Sequence, residues 1–402
     1  SPFYHHLLLY HHHGVNLTSN LQYMPKILLT ANTDWFLYHF RYALIHDLID
    51  QGFDVTLVSP AGKYVQRFLD DGISWTPWML RRRSVAPWIE LISLCHIAHL
   101  YRRERPDIVH HHTIKSVLYG SLAASYAGIP GIVNSISGRG YIFSGGDGMS
   151  RTIRRLIRPF YCLALREASS AVIFENQADQ NFFIESGFVS SERVHLIEGV
   201  GADPERFSPT PEPDDSTVII IMAARTLWEK GVGVFVDAAR LLQKRLPVRM
   251  VLVGEPDPGN PRSLKMKALE AWHRQGIIEW WGWQQDMERI YQQCHIVALP
   301  TMYGEGVPTA LLEAAACARP VVATDMPGCR SVVHHEKNGF LIPPNDPLAL
   351  AQALERLALD PALRMSMGAA GRQIVLERFT HTQINQATLQ VYWRLLESAG
   401  IE

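Results

Sequence analysis

At 402 residues the chain is too long for one ordinary hydrophobic core and calls for two domains. With 47% hydrophobic and 19% charged residues it is globular rather than disordered, and a formal net charge of −1 excludes any global attraction to nucleic acid. Five scattered cysteines without a C-x-x-C pair argue for a reducing compartment and against a disulfide framework or structural zinc site, and no apolar run is long enough for a transmembrane helix.

In chain order, residues 1–23 carry two His clusters between apolar residues, with neither a basic start nor a small-residue cleavage site. Met24-Pro-Lys26 runs straight into an apolar strand, so the preceding residues are expected to be a non-native or disordered extension. Strands are predicted at Lys26–Ala31, Asp54–Ser59, Ile73–Trp78, Asp107–His112, Gly131–Ser137, Ala171–Glu175 and Val194–Ile197. Helical patterns such as Phe36–Asp50 and Lys115–Ala127 fall between them. This alternation predicts a parallel sheet covered on both faces.

A Pro-, Asp- and Ser-rich stretch, 204–216, predicts a linker between a first domain (24–203) and a second (217–379). Second-domain strands are expected at Val218–Ala223, Arg249–Val253, Ile277–Trp281, Ile296–Leu299, Val321–Thr324 and Phe340–Ile342. An amphipathic helix in 380–402 then returns to brace the first domain. The fold class is α/β, two Rossmann-like doubly wound domains facing a central cleft, where a ligand belongs at the carboxyl ends of strands. Gly138-Arg-Gly140-Tyr-Ile-Phe143 fails the third glycine of a dinucleotide fingerprint and no P-loop occurs, which disfavours nicotinamide enzymes and P-loop NTPases.

The most informative stretch is Met302-Tyr-Gly-Glu-Gly-Val-Pro-Thr-Ala-Leu-Leu-Glu-Ala-Ala-Ala-Cys317. Pro308 suits the first turn of a helix that is apolar on nearly every face, with Glu313 as its one charge. A carboxylate there needs a partner, either a ligand or a neighbouring Arg. Glu305 lies in the loop before the same helix start, whose N–H groups suit an anion. Arg225 and Lys230 flank the turn after the strand at 218–223, where two cations would serve a diphosphate or stand as solvated loop charges. His110 and His112 share one face of a strand and His111 takes the other. The readings are hydrogen bonding of His110 and His112 to a sugar in the cleft, bonding within the scaffold, or a metal site for which no further ligands are evident. Arg151, Arg154, Arg155 and Arg158 fall on one helical face, and Arg81-Arg-Arg83 precedes Trp88-Ile-Glu-Leu-Ile. Both suit an anionic membrane surface, with a solvated face as the plainer alternative.

Four motifs carry a family resemblance: Arg225…Glu-Lys230-Gly, Glu305-Gly-Val-Pro…Leu-Leu-Glu313-Ala, Pro320-Val-Val-Ala-Thr-Asp325 and Asn338-Gly-Phe-Leu-Ile-Pro-Pro344. From Met24 onward the chain resembles the family 4 glycosyltransferases, retaining, metal-independent enzymes of the GT-B fold. The resemblance implies that Arg225 and Lys230 hold a donor diphosphate and that Glu305, with the backbone of Gly306 and Val307, contacts the transferred sugar. Glu313 would accept the ribose hydroxyls, while Glu255, Gly282 and Trp283 line the base pocket.

In the first domain Asn32…Tyr38…Arg41, Thr113-Ile-Lys115…Ala124, Gly138-Arg-Gly-Tyr141 and Gly199-Val-Gly-Ala-Asp203 resemble bacterial transferases that extend glycans on undecaprenyl diphosphate. Asn32, Tyr38, Lys115, Gly138 and Tyr141 would then face the acceptor, with His110 and His112 beside the reacting sugar. The implied enzyme moves a hexose or N-acetylhexosamine from a UDP-sugar, without a cofactor, at the inner face of the cell membrane. The paired carboxylates invite comparison with retaining glycosidases. Yet Glu313, inside the helix, is better placed to grip a second part of one donor, which leaves a front-face substitution. A sugar-nucleotide epimerase, a catalytically silent sugar-nucleotide-binding partner and a soluble glycogen- or sucrose-type transferase are the competing readings.

Overall fold

The computed structural model describes residues 23–138, 158–166, 169–214 and 217–401. Among them the first domain contains β1 (Lys26–Thr30), β2 (Asp54–Ser59), β3 (Ser74–Pro77), β4 (Ile108–His112), β5 (Gly131–Ile136), β6 (Ser170–Phe174) and β7 (Val194–Leu196). They form one parallel sheet in the order β3-β2-β1-β4-β5-β6-β7. The second sheet, also parallel, has the order β10-β9-β8-β11-β12-β13. Its strands are β8 (Val218–Ala223), β9 (Val248–Val253), β10 (Glu279–Gly282), β11 (Ile296–Leu299), β12 (Val321–Thr324) and β13 (Gly339–Ile342). Each predicted strand is present, with ends moved by at most two residues.

The apolar runs are continuous because both faces of each sheet are covered. In β8, Ile219 and Ile221 pack with Val251, Leu311 and Ala315. Ile220 and Met222 point the other way, onto Phe235, Leu242 and Leu350. Strand order reverses between β1 and β4 and between β8 and β11, and at such reversals the carboxyl-end loops splay apart to leave a crevice. In the second domain those loops are 224–231 and 300–308, which carry Arg225, Lys230 and Glu305.

The crossing between domains is tied rather than loose. Arg364 grips Glu212 at 2.8 Å, and Arg319 donates to Thr210 and to the carbonyl of Pro211, so the predicted linker lies against the second domain. The chain crosses back at Thr380, whose hydroxyl and Gln383 make a capping box for the helix His381–Ser398. Ile384, Leu389, Val391, Tyr392 and Leu396 of that helix enter the core of the first domain beside Ile27 and Leu29. Asn385 donates to Asp47 at 2.7 Å.

Candidate active site

The loop before the helix Thr309–Ala316 is the centre of the site. The helix begins one residue later than the sequence predicts. Pro308 is its N-cap at φ −69, ψ 118 rather than its first helical residue; its carbonyl takes the N–H of Leu311 and Leu312, so the N–H groups of Thr309 and Ala310 have no acceptor within the helix. Lys230 closes the loop from one side, its Nζ 2.6 Å from Glu305 Oε2, while the Thr301 hydroxyl donates to Oε1 at 2.7 Å. Burial works against the charged Lys230 ammonium, but the Glu305 carboxylate and the nearby Tyr303 hydroxyl outweigh it and keep its pKa above the usual lysine range. Lys230 reaches that position because Gly231 turns the chain at φ +83; a Cβ there would lie 1.8 Å from the carbonyl oxygen of Pro300.

Glu313 stands deeper in the same helix. Its partner is the Tyr291 hydroxyl at 3.1 Å, not the arginine that a buried carboxylate could have recruited. Dense packing around a carboxyl left open along one edge pushes its pKa up to about 7, burial being the chief cause. Arg225 is exposed and paired with Asp257 at 3.2 Å. Asp257 also receives Arg83 at 2.6 Å and Arg82 at 3.6 Å from the first domain, so three guanidinium groups share one carboxylate across the cleft. Glu255, Gly282 and Trp283 meet at the carboxyl ends of β9 and β10. Gly254 N–H donates to Gly282 O, and Lys63 of the first domain sits over the Trp283 ring at 5.1 Å.

The first domain presses on this loop with residues that strand prediction absorbed into a scaffold. Glu175 follows β6, and its Oε2 accepts from Val307 N–H at 3.1 Å. Asn176 donates to Glu305 O at 3.3 Å. A Cβ at Gly306 would lie 1.9 Å from Glu175 Oε2, so any other residue there would displace that carboxylate from the Val307 N–H. Gly138, at φ +99, comes so close that its Cβ would stand 2.9 Å from Gly306 N. Burial pushes the Glu175 carboxyl up, against the pull of the buried Arg41 guanidinium 3.9 Å away. The sequence offers only a weak signal for it, a carboxylate following the apolar run from Ala171 to Phe174, which reads equally as a solvated strand end. Glu175→Ala is expected to raise the KM for a nucleotide sugar about tenfold, the worth of about 1.5 kcal/mol for one hydrogen bond to a charged group, while Glu175→Gln, which keeps an acceptor, is nearly silent. Steady-state kinetics of the two variants check this.

The histidine run divides unexpectedly. All three rings are buried. His110 is bonded through Nδ1 to the Tyr392 hydroxyl at 2.5 Å and through Nε2 to Ser135 at 2.6 Å, which corrects the expectation that it reaches a sugar. Both of its nitrogens tie the returning helix to the sheet. His111 is held in the same way by Asn134 and Tyr101. In His112, Nδ1 accepts from Arg41 Nε at 3.2 Å and Nε2, at the carboxyl end of β4, has no partner among the described residues. Burial lowers the pKa of His112 well below the usual histidine value, so the ring is neutral. Thr113, next in the chain, adopts φ +76, a strained conformation for a β-branched residue at the point where strand order reverses.

Two acceptor-side expectations are also corrected. Lys115 Nζ is saturated by Glu90 and by the carbonyls of Arg81 and Ser84 at 2.6–2.9 Å, so it braces the 81–84 loop instead of facing the cleft. Tyr38 stacks on Tyr64 at 4.5 Å and packs toward Phe68. Asn32 lies at the carboxyl end of β1, beside the Thr33 cap of the helix Asp34–Asp50. Tyr141, Arg151, Arg154 and Arg155 fall outside the described residues. Arg158 lies against its own domain, donating to Ser186 O and covering the Phe188 ring. Among the described residues no His, Cys, Asp or Glu side chains group as metal ligands would, and no helix is long and apolar enough to cross a membrane.

Residues 217–360 match the family model for glycosyl transferases group 1, and residues 26–176 that for glycosyl transferase 4-like proteins. The chain is similar to the N,N'-diacetylbacillosaminyl-diphospho-undecaprenol alpha-1,3-N-acetylgalactosaminyltransferase of Campylobacter jejuni, 27% identical over 90% of this chain and 96% of that protein. It is 24% identical to the UDP-Gal:alpha-D-GlcNAc-diphosphoundecaprenol alpha-1,3-galactosyltransferase of Escherichia coli, over 82% of this chain and 86% of that one. Among solved structures, Anabaena HepE in complex with UDP and glucose superposes with a TM-score of 0.75 at 21% identity, over 92% and 99% of the two chains. A glycosyltransferase from Rickettsia africae gives the same TM-score at 18% identity, over 93% and 99%.

Proposed function

The chain belongs to the group 1 and family 4-like glycosyltransferases, with the GT-B fold, and we propose that it is a retaining transferase of UDP-sugars. It moves a hexose or N-acetylhexosamine onto a glycan carried by a lipid diphosphate, working peripherally at the inner face of the cell membrane. The observation that carries this reading is the Lys230–Glu305 pair at the start of the helix Thr309–Ala316, in the crevice where β8 and β11 diverge. It offers a cation and free N–H groups to a departing diphosphate and a carboxylate to the hydroxyls of a sugar. The names of the Campylobacter and Escherichia relatives support a lipid-diphosphate acceptor.

The donor's diphosphate lies between Lys230, Arg225 and the helix start, with Arg225 exchanging Asp257 for phosphate oxygens. Glu305 and the Gly306–Val307 backbone orient the sugar, Glu313 accepts the ribose hydroxyls, and the base lies against Glu255, Gly282 and Trp283. His112, a neutral ring whose Nδ1 accepts from Arg41, carries its proton on Nε2 and would donate it toward the sugar. In the transfer step the acceptor oxygen bonds to the anomeric carbon on the face that the leaving group departs. The bond from that carbon to the phosphate oxygen breaks, and the same phosphate oxygen takes the acceptor's proton. Lys230, Arg225 and the helix N-terminus meet the charge developing on UDP, so no metal ion is called for, and this electrostatic help supplies much of the rate.

The test is incubation of the protein with a panel of UDP-sugars and polyprenyl-diphosphate glycans, followed by product mass and the anomeric proton coupling. An acceptor heavier by one sugar with an unchanged anomeric configuration is expected. An inverted linkage overturns the retaining mechanism, and interconversion of UDP-sugars without an acceptor would make the protein an epimerase.

A further inference from the structure

The helix Pro87–Glu104 buries Ser93, Ile97, Leu100 and Tyr101 against the first domain and turns an unpartnered apolar face outward. On that outer face Trp88 is 68% exposed, Leu91 59% and Ile92 52%, one helical turn apart, and Val85 just before the helix is 90% exposed. Met79 joins them at 61%, held there by the bond from the Ser93 hydroxyl to its carbonyl. Large apolar side chains exposed singly are ordinary, but a contiguous group of this kind marks a contact surface.

The charges around the patch identify its occupant. Arg81 precedes it, while Arg82 and Arg83 turn to Asp257, and on the same helical face it continues through Cys95 and His99 to Arg102 and Arg103, all exposed. The acids of this helix are neutralised internally. Glu90 is held by Lys115 at 2.8 Å and the Tyr119 hydroxyl at 2.6 Å, and Glu104 by Lys26 and Arg103. An apolar strip with an indole, bounded at both ends by arginines and without an uncompensated carboxylate, matches an anionic bilayer surface, where the rings and aliphatic chains enter the acyl boundary and the cations meet headgroup phosphates.

We infer that the outer face of the helix Pro87–Glu104, with Val85 and Met79, is the membrane-docking surface of this protein, seated on anionic lipid. The inference rests on the reading of the acceptor as lipid-borne and supplies it with a place. The 81–84 loop at the edge of the patch is braced by Lys115 and reaches Asp257 through Arg83, so docking sets the mouth of the cleft at the headgroup plane, where a lipid diphosphate emerges.

The test is co-sedimentation of the full chain with phosphatidylglycerol–phosphatidylcholine vesicles and with pure phosphatidylcholine vesicles. Wild type is expected to bind the anionic vesicles, and Trp88→Ser/Leu91→Ser to bind them at least tenfold more weakly, with unchanged thermal unfolding and unchanged turnover on a short-chain, water-soluble acceptor diphosphate. Should the double variant misfold, Val85→Ser, in the loop, is read in the same assay with a smaller expected loss. Undiminished vesicle binding in these variants overturns the inference. So does a wild-type protein that ignores vesicles but self-associates, with self-association lost in the double variant, because the patch is then an interface between copies. Vesicle binding that depends on Trp88 in a protein inactive on every diphosphate acceptor would leave this surface standing and remove the proposed reaction instead.

Discussion

Lys230→Ala is expected to lower kcat by two orders of magnitude or more, as is Glu305→Ala, with the protein still folded. A hundredfold loss corresponds to about 2.7 kcal/mol of transition-state stabilisation, the size expected for one preorganised electrostatic contact in a closed site. The two variants remove opposite charges from one 2.6 Å pair, so they should differ in binding. Without Lys230 the Glu305 carboxylate keeps only Thr301 and repels the incoming diphosphate, so UDP affinity falls along with kcat. Without Glu305 the ammonium remains, UDP binding is nearly preserved, and the loss appears in turnover of the sugar. Single-turnover kinetics with UDP binding by calorimetry separate these outcomes. A kcat within a few-fold of wild type in either variant removes that residue from the chemistry.

Glu313→Gln is expected to stabilise the protein above neutral pH and to weaken donor binding. The sign follows from the direction of the shift. The folded-state pKa is raised, from the ordinary 4.5 to about 7, so the native state holds its proton more tightly than the unfolded chain. Stability from this group is therefore complete below about 4.5 and is lost as pH rises through 7. At pH 8 the ionised carboxylate costs about 2 kcal/mol, discounted for its open edge. Gln keeps an acceptor for Tyr291 and removes the charge, so urea unfolding at pH 8 should show a gain of that order, shrinking as pH falls through 7 and vanishing below the unfolded value of 4.5. Donor binding runs the other way, because a carboxylate is the better acceptor for two ribose hydroxyls. Wild-type affinity for UDP should fall as pH drops below 7, and that dependence should vanish in the Gln variant. A Gln variant no more stable at pH 8, with unaltered UDP affinity, would show that Glu313 is merely a packed residue.

A destabilised ionisable group at the proposed donor site gives a reason why the sequence draws attention to this stretch. A lone Glu in an all-apolar helix, a loop Glu beside Pro308 and two cations after a strand are each local conflicts, visible without coordinates because they break composition rules within a few residues. Glu175 breaks no such rule, since a carboxylate at the end of a strand looks solvated until the other domain is placed over it. His110 and His112 are identical in sequence terms, on one face of one strand. Only the returning helix, with Tyr392 some 282 positions away, engages one and leaves the other with a free nitrogen. Lys115 reads as a cleft residue for the same reason, because its partners lie 25 to 34 positions earlier, in the 81–84 loop and the helix that follows it. The basic run at 81–83 and the apolar Trp88 stretch were both legible, but their membership of one exposed face depends on which side of the helix the core covers.

The sequence by itself determined the two doubly wound domains and the return of the last helix, because strand burial and helix periodicity are short-range and repeat many times. Tertiary structure alone decided what each strand-end side chain faces. Whether His112 is unpartnered, whether Arg225 is held by Asp257, and whether Val307 N–H is met by Glu175 all depend on contacts between segments far apart in the chain. The lone Glu313 had to be paired or exposed by any packing, but that its partner is a tyrosine hydroxyl follows only from where Tyr291 comes to lie, and it is burial, against that bond, that leaves the carboxyl poised near neutral pH.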